Sequence, residues 1–160
     1  MILLEEGTVS YEAFLVVKGA LRQYFHTGKG IERTCNFTFE NQFSTDLESF
    51  SKKSKSSTGI ICMEDTECLV ITCEDLMTCL ALYPSIAAYF NHLVELIAVQ
   101  NIRKTQSLLS KTPEEQFDEI LEKTPELLQR VPQRYIAQYI GVEAESLSRI
   151  RKRSLNTAKS

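Results

Sequence analysis

No stretch of this chain approaches the ~20 consecutive apolar residues that span a bilayer. The longest candidate, Leu93 to Val99, is short and carries Glu95. Met1 is followed by Ile-Leu-Leu, with no basic n-region and no small-residue cleavage site, so no secretory signal is read and a cytoplasmic protein is expected. Cysteine occurs at Cys35, Cys62, Cys68, Cys73 and Cys79, but no CxxC pair is present. The last three are spaced too loosely for an iron–sulfur run, and the thiols are read as free, mostly buried small hydrophobes. The histidines, His26 and His92, have no nucleophile or ligand motif nearby, and no glycine-rich phosphate loop occurs. Catalysis is therefore not expected, and no metal or cofactor is implied. No internal repeat is apparent.

What remains is an ordinary globular composition, 43% apolar and 24% charged, on a length sufficient for one large domain or two small ones. The net charge of −3 is unevenly spread. Residues 130–160 hold seven basic side chains, Arg130, Arg134, Arg149, Arg151, Lys152, Arg153 and Lys159, against Glu143 and Glu145. The end of the chain is thus +5 and the rest −8. A basic end on an acidic body is what contact with a polyanion requires, although a solvated basic tail has the same charge.

The period of the apolar residues divides the chain into three parts and predicts an α+β fold. Residues 1–72 read as short strands with regular turns, an antiparallel barrel or sandwich. Ala13 to Val17 is a buried strand ended by Lys18-Gly19. From Ala20 to Phe25, Leu21, Gln23 and Phe25 alternate with Arg22 and Tyr24, and His26 to Gly30 makes a hairpin turn into Ile31 to Phe39. The polar run Ser51 to Ser57 is expected to be a loop, followed by strands at Gly59 to Met63 and Cys68 to Thr72. A short helix starts at Glu74-Asp75-Leu76 and stops before Pro84.

Residues 84–110 form a long helix. Ile86, Phe90, Leu93, Ile97 and Gln100 recur at spacings of three and four, widened by Tyr89 and Leu96. Such a narrow seam suits pairing with a second copy through residues 84–108, or packing on its own domain. Residues 111–153 are helical, within a part that runs to 160. Thr112-Pro113-Glu114-Glu115 is a strong helix start, and Thr124-Pro125 and Val131-Pro132 begin two more. Phe117, Ile120 and Leu121 mark the first core face.

The decisive segment runs from Gln133 to Ile150. Two helices crossing steeply need a small residue at the crossing, which Ala137 supplies. The turn between them needs a left-handed backbone, which Gly141 supplies. Ile136, Ile140, Val142, Leu147 and Ile150 fall on inward faces. This is a helix-turn-helix. Glu145, Ser148, Arg149 and Lys152 share the outer face of its second helix. Arg149 suits guanine O6 and N7, and Glu145 suits a cytosine amino group, or the two form an i,i+4 ion pair. Gln133, Ser146, Arg151, Lys152 and Arg153 are placed for the DNA backbone. A helical hairpin serving as a protein contact shares part of this pattern.

These residues resemble the Crp/Fnr family of bacterial transcription regulators over almost the whole chain. Val131 to Lys152 is similar to the family's DNA-binding helices, Phe14 to Arg22 to its sensor strand pair, and Met63 to Ile71 to the pair after its ligand loop. The resemblance implies a jelly-roll-like, cyclic-nucleotide-binding-type β-roll over residues 1–83, a dimerisation helix and a winged-helix-like domain. It also implies a homodimer reading a pseudo-palindrome in double-stranded DNA, contact with RNA polymerase, and a small-molecule effector. Where nucleotide-binding members carry Gly-Glu and Arg-Ser or Arg-Thr, this chain has Thr45-Asp46 and Ser56-Ser57, with Lys55 adjacent. With no arginine for the phosphate, an effector other than a cyclic nucleotide is expected in that pocket, or none. The helix start at Glu143-Ala144 departs from the family's usual cap and arginine. The chain begins inside the family's first strands and leaves little room for a wing, as in a shortened member or an incomplete chain.

Overall fold

The computed structural model describes residues 1–157, with side chains through residue 154; Lys159 of the basic end lies outside the described residues. The elements in order are β1 (Ile2–Leu4), β2 (Glu12–Lys18), β3 (Leu21–His26), β4 (Glu32–Thr38), β5 (Phe43–Ser44), α1 (Leu47–Lys52), β6 (Gly59–Cys62) and β7 (Glu67–Thr72). Helices follow: α2 (Cys73–Leu82), α3 (Pro84–Ser110), α4 (Pro113–Lys123), α5 (Pro125–Arg130), α6 (Gln133–Ile140) and α7 (Ala144–Thr157). The chain divides into two compact units, Met1–Phe90 and Asn91 onward, with the division inside α3.

The first unit is a two-sheet β-roll. One sheet has the order β1-β6-β3-β4 and the other β5-β2-β7, all antiparallel. Their inner faces meet in a cluster of Leu4, Phe14, Val16, Leu21 and Ile60. Val16, Leu21 and Ile60 are fully enclosed, each contributing about 1.5–3 kcal/mol by leaving water. Gly19 joins β2 to β3 at φ +96, and a side chain there would meet the Asp65 carbonyl at 2.6 Å. Only glycine fits that close approach of two turns.

Two expectations need correction. The polar run from Ser51 is not wholly a loop: Ser51 and Lys52 finish α1, which closes on Lys53 in the left-handed region. The five thiols are free but half-buried rather than buried; Cys62 and Cys68 merely flank the core. Arg22 on β3 is a buried charge. It is 2% exposed, with Nη1 donating to Glu32 Oε1 at 2.9 Å and Thr34 Oγ1 at 3.1 Å. Its guanidinium also lies 5.0 Å from the centre of the Tyr24 ring.

In the second unit the core consists of Phe117 and Ile120 from α4, Leu127 and Val131 around α5, Ile136, Ala137 and Ile140 from α6, and Leu147 and Ile150 from α7. The start of α4 is a complete capping box. Thr112 Oγ1 accepts from the Glu115 N–H, and Glu115 Oε2 accepts from the Thr112 N–H at 2.7 Å. This satisfies two N–H groups that a helix start leaves open. Among the described residues no helix is long and apolar enough to cross a membrane.

Candidate nucleic-acid interface

The interface is built on the α6–α7 pair. Helix α6 buries Ile136, Ala137 and Ile140 at spacings of one, three and four. It ends at Gly141, φ +79, whose N–H donates to the Ala137 carbonyl; the Val142 N–H donates to the same carbonyl at 2.9 Å. A side chain at Gly141 would meet nothing. The requirement is therefore the left-handed backbone alone, which costs a residue with a Cβ about 1–2 kcal/mol. Ala137 is 1% exposed, so a larger side chain would push the two helices apart.

Helix α7 buries Leu147 and Ile150 and leaves Glu145, Ser148, Arg149, Arg151, Lys152 and Arg153 exposed, with Ser146 half-buried. One face is thus fixed to the core and the other is polar and basic. Arg149 Nη2 donates to Ser146 Oγ at 3.2 Å. Arg149 is steadied by Ser146, one turn back, rather than by Glu145. Gln133 is exposed at the start of α6. Arg153 is engaged already: its Nη2 meets Glu114 Oε1 at 2.6 Å. A groove of about 600 Å³ runs between the start of α4 and α7, lined by Pro113, Glu114, Val142, Ser146, Arg149, Ile150, Lys152 and Arg153.

Two tethers hold this head to the end of α3. Lys104 Nζ sits 3.5 Å from the centre of the Tyr139 ring. Glu119 accepts from Lys111 Nζ at 2.7 Å, Lys123 Nζ at 2.6 Å and Ser107 Oγ at 3.0 Å. Lys111 first, then Lys123, pull the Glu119 carboxyl down to about 2, against a smaller upward push from burial.

The structure brings three of the four residues read as an effector pocket, Asp46, Ser56 and Ser57, together in one hydrogen-bonded network. Asp46 is buried and caps α1 by accepting from the Ser49 N–H at 3.1 Å. Its Oδ2 accepts from Ser56 Oγ at 2.7 Å, Ser57 N–H at 3.1 Å, Ser57 Oγ at 3.3 Å and Thr58 Oγ1 at 3.0 Å. Burial pushes its carboxyl up, but these donors together outweigh burial and hold it below the ordinary aspartate value. Thr45 Oγ1 donates to the Glu12 carbonyl. Of the four, only Ser56 borders the open concavity of about 550 Å³ on the β-roll, whose rim includes Glu6, Tyr24 and His26. Glu6 Oε2 meets His26 Nδ1 there at 2.6 Å, a pair that nothing local in the sequence signals.

No protein-family model matches the chain, and no curated protein matches it by sequence. Solved structures do. FixK2 from Bradyrhizobium japonicum superposes over 99% of this chain and 81% of its own, with a TM-score of 0.82 at 16% identity. The c-di-GMP-responsive global regulator CLP of Xanthomonas campestris covers 99% and 84%, with a TM-score of 0.75 at 16% identity. A Eubacterium rectale protein described as a Crp/Fnr-family transcriptional regulator covers 96% and 77%, with a TM-score of 0.67 at 19% identity. The fold is that of the Crp/Fnr regulators. The α+β architecture expected from the sequence, an antiparallel N-terminal part followed by helices, is the one this chain adopts. At such identities the likeness fixes the fold and leaves the chemistry to the residues.

Proposed function

We propose that this chain is a DNA-binding transcription regulator, acting as a homodimer through α3 and reading a pseudo-palindromic duplex with α7. The observation that carries the reading is the α6–α7 pair: Leu147 and Ile150 fixed inward, Glu145 and Arg149 outward beside Lys152. Glu145 and Arg149 are the base readers, and Gln133, Ser146, Arg151, Lys152 and Arg153 the backbone contacts. Pairing through α3 is supported by its surface. The helix has 27 residues and buries none of them, while Ile86, Leu96 and Ile97 stay about two-fifths exposed. Two such heads would meet half-sites about one turn (~34 Å) apart. The domains are then a β-roll at 1–83, a dimerisation helix at 84–110 and a DNA-binding head at 111–160.

The Asp46 network supports an effector-independent role for the β-roll over nucleotide sensing. The carboxylate already occupies the donors of Ser56 and Ser57, so an incoming phosphate would have to displace it. The test of the main reading is selection of binding sites from random duplex DNA, followed by binding of wild type and Arg149→Ala. Loss of one bidentate contact weakens the selected site roughly 5- to 150-fold (about 1–3 kcal/mol) and relaxes preference at one base pair. Unchanged affinity and preference in Arg149→Ala would remove α7 as the reading helix.

A further inference from the structure

Three basic side chains line the groove beside α7, Arg149, Lys152 and Arg153, and one carboxylate lies among them, Glu114. An acid there opposes the charge that a DNA-facing groove needs. An acid in the first turn of α4 suits the helix dipole, but its ion pair is not a local contact. The cap of α4 is completed by Thr112 and Glu115 without it. Glu114 lies outside the buried core, and its partner is 39 residues away: Glu114 Oε1 accepts from Arg153 Nη2 at 2.6 Å. Both members are well exposed, with side chains 41% and 66% accessible.

We propose that Glu114 is a built-in competitor for a DNA phosphate, holding Arg153 until a phosphodiester takes its place. The inference rests on the DNA-binding reading above. A guanidinium accepts a carboxylate or a phosphate in the same forked geometry, so the exchange keeps its hydrogen bonds. An exposed ion pair is a weak tie, and the field of a polyanion is enough to break it. Because the competition is for a phosphate and not for a base edge, it lowers affinity for all sequences by a common factor. The order of preferred sites stays unchanged. Glu114 thus suppresses non-specific occupancy and leaves base contacts to decide where the protein stays.

The experiment uses the full chain and a random-sequence duplex, with binding followed by fluorescence anisotropy across a salt series. Wild type, Glu114→Gln and Glu122→Gln are compared; Glu122 is exposed on the same helix but does not line the groove. Glu114→Gln is expected to bind roughly fivefold tighter, with the slope of log K against log salt little changed, because Arg153 meets the same phosphate in both forms. Glu122→Gln, which changes net charge equally, should move affinity less than about twofold. Adding Arg153→Gln should erase the gain from Glu114→Gln. If the two glutamine variants move affinity equally, or Glu114→Gln weakens it, the competitor role is wrong while DNA binding stands. If no form of the protein binds duplex even at low salt, the DNA reading falls and this proposal falls with it.

Discussion

Changing Asp46 to asparagine alters one atom in the most densely bonded polar site of the β-roll. Oδ1 accepts only from the Ser49 N–H, so an asparagine carbonyl placed there keeps the cap of α1. The second oxygen becomes an NH2 group facing four donors from Ser56, Ser57 and Thr58. The three hydroxyls can turn to accept. The Ser57 N–H cannot, and an N–H left without an acceptor costs about 1–3 kcal/mol. Loss of the charge on the remaining bonds brings the total to about 2–4 kcal/mol. The pH dependence follows from the sign of the shift. The folded carboxyl sits below its ordinary value, so its contribution is present at neutral pH and is lost as pH falls through the lower folded value. Urea unfolding of wild type and Asp46→Asn should differ by about 2–4 kcal/mol near neutral pH, and the two should converge in acid. Hydrogen exchange at the Ser57 amide should accelerate in the variant. A loss below about 0.5 kcal/mol, or a difference that does not shrink in acid, would refute the account of the network.

Glu119→Gln should destabilise the second unit by about 1–2 kcal/mol at neutral pH, since it weakens two charge-assisted bonds on a partly exposed side chain. The folded carboxyl is lowered to about 2, so the difference should fade as pH drops from the ordinary glutamate range toward that value; acid titration of thermal unfolding reads this directly. Arg22→Met should cost about 2–4 kcal/mol, because it strips the donor from Glu32 inside a covered face, and thermal unfolding should show it. Adding Glu32→Gln should recover part of that loss, and a fully additive double variant would show that the pair is not coupled.

Much of this fold was legible because strands and helices print different periods. The turns at Lys18-Gly19 and His26 to Gly30 marked β2, β3 and β4, and Thr112-Pro113 marked α4. Gly141 and Ala137 were legible for steric reasons that need no partner to be known. The burial of Arg22 was not, because alternation alone does not tell which of two faces is covered. The hairpin register held a signal that was passed over. Tyr24 pairs with Thr34 and His26 with Glu32, so Arg22, Tyr24, Thr34 and Glu32 share one face. An arginine beside an acid and an aromatic on a central strand can be covered. The serines after Ser51 looked solvated because polar composition does not reveal which carboxylate they fold back upon. The Glu145 and Arg149 spacing allows an ion pair, but Ser146 is within reach one turn away and costs Arg149 less freedom.

The two carboxylates that hold donors suited to an anion, Asp46 and Glu114, differ in one physical respect. Asp46 is enclosed and takes five donors, so an effector would have to break all of them at once. At about 0.5–1.5 kcal/mol net for each bond, more for a charged acceptor, that exceeds what a weakly held anion returns. Glu114 is exposed and holds one partner at a single short contact, so displacement by a polyanion is easy. The two carboxylates therefore differ in how readily an anion displaces them. At the roll the Asp46 network resists displacement by an anion; at the head the exposed Glu114–Arg153 pair opens readily.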